Sequence, residues 1–130
     1  MTYRKGAVRS NRGTQALGRL KTGQVNQTEA AYAELLELRK CAGEVSWYRF
    51  EGIKLRLADN TFYTPDFAVM LSGGEMELHE VKGSLSYIMD DAKVKIKVAA
   101  EMYPFRFVLV ARRAKKRGGG WDVQEVGNKA

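Results

Sequence analysis

The run NTFYTPDFAVML (residues 60–71), the loop Ser72-Gly73-Gly74 and the run EMELHEVKG (residues 75–83) together constrain this chain more than any other stretch. Two strand-forming runs joined by a short glycine loop read as a β-hairpin. A three-residue loop fixes the register: opposed residues have numbers summing to 146, so Asp66 lies opposite Glu80. Directly opposed residues hold their Cβ atoms about 4.5–5.5 Å apart on one face, where two carboxylates repel each other. Strand alternation puts Lys82 on that face too and turns His79 and Val81 to the other. A single lysine neutralises the pair in part. A divalent ion with oxygen ligands does so more completely, and magnesium favours a few carboxylates plus water. The hairpin end therefore reads as a metal-dependent hydrolytic site.

The remaining segments give the hairpin its surroundings. Asn26 and Glu29 have capping-box spacing. From there NQTEAAYAELLELRKCAG reads as a helix with Ala31, Leu35, Leu38 and Ala42 on one stripe, Tyr32 and Leu36 beside it, and Gly43 as its stop. VSWYRF and IKLRLA read as strands before the NTFYTPDFAVML run, with turns at Glu51-Gly52 and Asp59-Asn60. Residues 88–102 have helical composition and end at Tyr103-Pro104. FRFVLVA then reads as a strand buried on both faces, and WDVQEV as one more short strand. With the central strands taken as a three-stranded meander and WDVQEV as an addition, the order αβββαβ predicts an α/β (α+β) domain, a mixed sheet with helices packed against it. It occupies residues 26–127, behind a basic arm at residues 1–25 whose Gly, Ser, Asn and Gln content and missing apolar period predict flexibility.

Charge is segregated along the chain. Of 22 basic residues, six lie in residues 1–24, which hold no acid, and five more in residues 112–117; the remaining eleven face all fifteen acids. An acidic body with a basic arm and a basic loop suits a polyanion that touches the edges while something acidic sits at the centre. No run approaches the apolar length of a membrane span, and no apolar segment follows the basic N-terminus as in a signal peptide, which points to a cytoplasm. The lone Cys41 has no partner for a disulfide or a zinc site and reads as a packing or surface residue.

Pro65-Asp66, thirteen intervening residues and Glu80-Val81-Lys82 resemble the motif of the PD-(D/E)XK nuclease superfamily, which includes restriction endonucleases and Holliday-junction resolvases. More narrowly, TEAAYAELLEL, AGEVS, TPDF and HEVKG look like a family of small phage and prophage proteins described as nuclease-like. The resemblance spans about residues 26–111. It implies a restriction-endonuclease-like core and Mg²⁺, replaceable by Mn²⁺, on Asp66, Glu80 and the Val81 carbonyl. It assigns Lys82 to the attacking water and the phosphate. It also implies a glutamate from the first helix, for which Glu29 matches better than Glu34, although helical geometry leaves both open. The implied activity is hydrolysis of DNA phosphodiester bonds by a phage endonuclease acting on branched or recombination DNA in the host cytoplasm; a homodimer would present two such sites to two strands.

Candidate DNA contacts are Arg112, Arg113, Lys115, Lys116 and Arg117 in the basic loop 112–120, read as flexible, with Lys93 and Lys97 on the second helix and Arg9, Arg12 and Arg19 in the arm. His79 reads as structural, and Trp47, Tyr48, Phe62 and Tyr63 as strand packing. The alternative function is a DNA-binding accessory protein that keeps a nuclease-like fold without catalysis.

Overall fold

The computed structural model describes residues 25–83 and 90–127, with Asp90 and Asp91 described in backbone only. The basic arm with Arg9, Arg12 and Arg19, and the expected helix start at residues 88–89, lie outside the described residues. The elements are α1 (Gln27–Cys41), β1 (Val45–Phe50), β2 (Leu55–Ala58), β3 (Thr61–Tyr63), β4 (Phe67–Leu71), β5 (Met76–Lys82), α2 (Asp90–Met102), β6 (Arg106–Arg112), a 3₁₀ turn (Lys115–Arg117) and β7 (Trp121–Val126). No described helix is long and apolar enough to cross a membrane.

The capping box starts α1 as its spacing predicts. The Glu29 N–H donates to Asn26 Oδ1 at 2.7 Å, and the Asn26 N–H donates to Glu29 Oε1 at 3.1 Å. The buried stripe of α1 differs from the expected one: it runs through Glu29, Tyr32 and Leu36, while Leu38 is 66% exposed. The larger Tyr32 and Leu36 take the centre because they cover more apolar surface than the alanines of the expected stripe.

The meander also differs in one respect. The run read as a single strand from Asn60 to Leu71 breaks at Thr64-Pro65-Asp66. Pro65 has no N–H for a ladder and restricts the residue before it. The first piece, β3, folds back on β2 as a separate two-stranded sheet; the second, β4, pairs with β1 and β5. The five-stranded sheet therefore runs β1-β4-β5-β6-β7, with only β5 and β6 parallel. The β2–β3 hairpin is an excursion inserted between β1 and β4. It leaves the main sheet at Glu51 and turns back at Asn60, both with positive φ (49° and 55°), a conformation uncommon for residues other than glycine.

The β4–β5 register follows the loop. Phe67 pairs with His79, Ala68 with Leu78, Val69 with Glu77 and Met70 with Met76, every pair summing to 146. The ladder stops at Phe67, one residue short of Asp66.

Each face of the sheet has its own core. On one, α1 covers Val45, Phe67, Val69, Val81, Val108 and Val110 with Tyr32 and Leu36. On the other, Ile96, Ala99 and Ala100 of α2 and Leu55 and Tyr63 of the small hairpin pack on Ala68, Leu78, Phe107 and Leu109. Covered on both sides, β6 reads as a continuous apolar run.

Candidate functional site

One edge of the sheet gathers the ends of all five strands: β1, β5 and β6 finish there, and β4 and β7 begin there. Asp66 sits at this edge because Pro65 has just ended the preceding strand. With β4 beginning only at Phe67, the Val81 N–H of β5 has no strand partner on that side. A buried amide needs an acceptor, and Asp66 Oδ2 supplies it at 2.8 Å. In an extended strand the N–H and C=O of one residue face the same neighbour, so the Val81 carbonyl faces the same gap.

Glu80 is 7% exposed. Its Oε1 accepts from the Tyr63 hydroxyl at 2.7 Å, and its Oε2 pairs with Lys82 Nζ at 3.1 Å. The Tyr63 hydroxyl is pushed up from its ordinary pKa by burial and by the Glu80 charge, which keeps it a neutral donor. Glu29, 9% exposed, reaches the cluster from the first turn of α1 and hydrogen-bonds with Asp66. Glu34, the other first-helix candidate, is exposed. The Glu29 side chain therefore closes the capping box and meets the acidic pair at once.

The electrostatics follow from this crowding. Asp66 is half-buried by exposed area but closely surrounded by protein, and its carboxyl is pushed up to about 9, by burial first and then by the charges of Glu80 and Glu29. Burial also raises Glu29, helped by the charges of Glu51 and Glu80 and opposed by its hydrogen bonds to Asn26 and Asp66. Asp66 thus holds the proton that Glu29 accepts, and one cation, Lys82, serves three carboxyls. Among the described residues no three His, Cys, Asp or Glu side chains form a ready-made metal cage. The donor set nonetheless fits a hard divalent ion: all oxygen, rich in carboxylate and short of positive charge. An ion entering would displace the shared proton.

Two members of the site escaped the sequence reading. Tyr63 read as packing, yet its hydroxyl holds Glu80; only the unforeseen β2–β3 excursion brings it there. Glu51 read as a turn residue, yet its N–H donates to the Asp66 carbonyl at 2.8 Å and its charge raises Glu29. Its positive φ is the kind of backbone cost that concentrates at functional sites, and nothing in the sequence beyond a turn signal announces it.

His79 lies on the opposite face, as alternation requires. It is 2% exposed, with Nδ1 2.7 Å from the Tyr32 hydroxyl and Nε2 2.9 Å from Glu77 Oε1. The hydrogen bond from His79 holds the Glu77 carboxyl below its ordinary value, against its own burial. This chain knits α1 to β5, a structural role. Packing does not account for Trp47 and Phe62, each 39% exposed; Phe62 lies on the outer face of its hairpin under Lys54 Nζ, 4.5 Å from the ring centre. Cys41 is exposed.

The basic loop is at the same edge but is built rather than loose. Lys115–Arg117 form a 3₁₀ turn, and the Arg113 N–H bonds the Gly120 carbonyl. The Arg113 guanidinium spans the connection: Nε to Asp122 Oδ1 at 2.9 Å, and its terminal nitrogens to the Gly119 and Trp121 carbonyls at 3.3 and 3.0 Å. Three of the five Arg113 N–H donors are thereby committed within the connection, so Arg113, a candidate DNA contact by sequence, is first of all a strap. Arg113→Ala is expected to cost about 1–2 kcal/mol, since charge-assisted bonds are lost at a half-buried site; urea denaturation measures this. Arg112 lies over the Trp121 ring at 5.4 Å, Arg117 approaches Asp122 at 3.7 Å, and Lys115 and Lys116 are exposed. Lys93 and Lys97 are exposed on α2, and Lys95 between them is half-buried.

Compared with protein families, with curated proteins and with solved structures, the chain matches none.

Proposed function

We propose that this protein is a divalent-metal-dependent deoxyribonuclease that hydrolyses DNA phosphodiester bonds, a phage-type endonuclease for branched or recombination DNA. The observation that carries the reading is the convergence of Asp66, Glu80 and Glu29 beside Lys82 at one sheet edge, with the Asp66 carboxyl pushed up by burial and by the two neighbouring carboxylates. That arrangement agrees with the PD-(D/E)XK resemblance, in which the same residues are the metal carboxylates and the lysine. The helix, the β1-β4-β5 meander, the second helix and the parallel β6 also agree with the order αβββαβ, with β2–β3 as an insertion and β7 as an addition.

Asp66, Glu80, Glu29 and the Val81 carbonyl would hold Mg²⁺ or Mn²⁺, which when bound supplies a Lewis acid and water of lowered pKa. Tyr63 fixes the Glu80 carboxylate, and the Val81 N–H fixes that of Asp66. Lys82, held by Glu80, directs an ammonium toward an incoming phosphate and orients the attacking water. The exposed cations of the 112–117 turn carry the strand past the site.

One observation favours the alternative of a non-catalytic DNA-binding protein: the Lys82–Glu80 pair and the Glu29–Asp66 proton satisfy the cluster without any ion. Cleavage of labelled four-way-junction, flap, duplex and single-stranded DNA in Mg²⁺, Mn²⁺ or EDTA separates the two. The nuclease reading expects metal-dependent cutting that Lys82→Ala lowers by about a hundredfold or more, the scale for losing one group that stabilises transition-state charge. Binding without cutting under every metal would leave the accessory reading.

A further inference from the structure

We infer that the groove between Gly83 and the β6–β7 connection is a phosphate-binding pocket that holds a DNA phosphate neighbouring the one at Asp66 and Lys82, and so sets how the strand lies across the site. The inference rests on the nucleic-acid reading above and adds a second anchoring point to it.

The groove has a volume of about 370 Å³ and is lined by Gly83, Arg112, Arg113, Ala114, Lys115 and Arg117. It is concave, it lies where the chain leaves β5, and every charged group lining it is a cation. Three features show where positive charge is available. Arg113 and Arg117 share Asp122, so two cations meet one acid there. Arg112 rests on the Trp121 ring, an arrangement that orients a guanidinium without neutralising it. Lys115 is exposed, and among the described residues no carboxylate pairs with it. A groove carrying this surplus, with no acid among its described lining residues, attracts an anion, and a guanidinium such as that of Arg112 matches a phosphate's oxygens with paired donors.

Position gives the ligand its context. Lys82 pairs with Ala111 across the parallel β5–β6 ladder, so Gly83 and Arg112 follow side by side. Asp66 heads β4, two strand spacings from the end of β6, about 10 Å. With the reach of the long side chains that line the groove, phosphates one or two nucleotides apart along one strand bridge such a gap. A strand with one phosphate among the carboxylates would thus lay another in the groove. The acidic centre and the cationic groove would then share the work: the first holds the reacting phosphate, the second fixes direction and register.

Gly83 offers a test that removes no existing contact. Among the described residues a Cβ there would meet no atom within 4 Å, and the backbone is not left-handed, so a side chain is tolerated. Gly83→Glu places a carboxylate at the mouth of the groove, and Lys115→Ala removes a cation from its wall. Lys40→Ala, on the exposed last turn of α1, is the control, since all three lower the net charge by one.

Binding to a fluorescein-labelled DNA duplex is read by anisotropy in EDTA across a salt series. The expected result is that Gly83→Glu and Lys115→Ala each weaken binding by about eightfold at 0.1 M salt and lower the salt slope by about 0.9, the signature of one lost phosphate contact. Lys40→Ala should match the natural protein. If both groove variants bind like Lys40→Ala, the pocket is refuted. A parallel arm with and without terminal phosphates identifies the ligand: equal affinity means a backbone diester, and tighter binding of the phosphorylated end means a terminal monoester. Cleavage in Mg²⁺ by the natural protein is scored separately. Groove-dependent binding without cleavage would sink the nuclease reading and keep the pocket; Asp66-dependent cleavage with unaffected groove variants would do the reverse.

Discussion

Asp66→Asn is expected to abolish metal-dependent DNA cleavage while making the protein more stable. The first effect follows from the proposed role: an amide is a poor ligand for a hard divalent ion, and losing one acidic ligand should reduce cutting by about a thousandfold or more, the upper range for a single electrostatic contact. The second follows from the site as it stands. The Asp66 carboxyl is crowded by Glu80 and Glu29 and is held in its proton-bearing form. Asparagine keeps the oxygen that accepts the Val81 N–H and offers an N–H to Glu29, yet has no charge to suppress. Substitutions that relieve a site of this kind stabilise by about 0.5–2 kcal/mol, several degrees in Tm for a domain of this size. The measurement pairs a cleavage assay with thermal unfolding in EDTA. A variant that loses both activity and stability would show that the carboxylate serves the fold, and the catalytic assignment would fail.

The hairpin register was fully legible in the sequence, because a loop of known length and strict two-residue alternation leave no freedom. From it came the side taken by Lys82 and the turning of His79 to the other face; the expected pairing of Asp66 with Glu80 does not form, because the ladder stops at Phe67 and Asp66 accepts from the Val81 N–H instead. The β2–β3 excursion was less visible. Thr61 to Tyr63 and Phe67 to Leu71 both read as strand, and only Pro65 hinted that they belong to different sheets. Tyr63 and Glu51 were lost to the same cause, since their places depend on where the excursion leaves and rejoins the main sheet. On α1, small apolar residues misled the stripe, but the capping-box signal at Glu29 was sound. The basic loop was read as flexible, because three consecutive glycines suggest looseness in sequence. Here they serve a tight connection, with Gly118, Gly119 and Gly120 all at positive φ around the Arg113 strap. Composition located the charge; only the fold showed which cation was committed.

In EDTA, stability should fall as pH rises from about 4 to about 9, and Mg²⁺ should oppose that fall. The sign comes from Asp66, whose pKa is raised from 3.8 to about 9 in the folded chain. Between those values the folded protein holds a proton that the unfolded chain has released, so this contribution is complete below about pH 4 and is lost as pH rises through the window. The slope from one proton is at most about 1.4 kcal/mol per pH unit. Glu29 is raised too and acts in the same direction. Glu77 is lowered by its His79 bond, so its contribution is lost only as pH falls through its folded value, below the ordinary 4.5. The two windows scarcely overlap, which gives stability a maximum in mild acid.

A divalent ion changes the alkaline side alone. It binds the ionised carboxylates, so binding must expel the shared proton, and affinity rises as pH rises toward 9. Stabilisation grows with the ratio of ion concentration to Kd. Millimolar Mg²⁺ should therefore leave Tm unchanged near pH 5 and raise it by several degrees near pH 8, while Asp66→Asn should show neither the EDTA slope nor the Mg²⁺ shift. A Tm profile identical in the two proteins, or a Mg²⁺ effect independent of pH, would mean that the proton on Asp66 is not what the ion displaces. The acidic edge would then be a hydrogen-bonded strand end, complete without metal, and the DNA-binding work would pass to the cationic turn beside it.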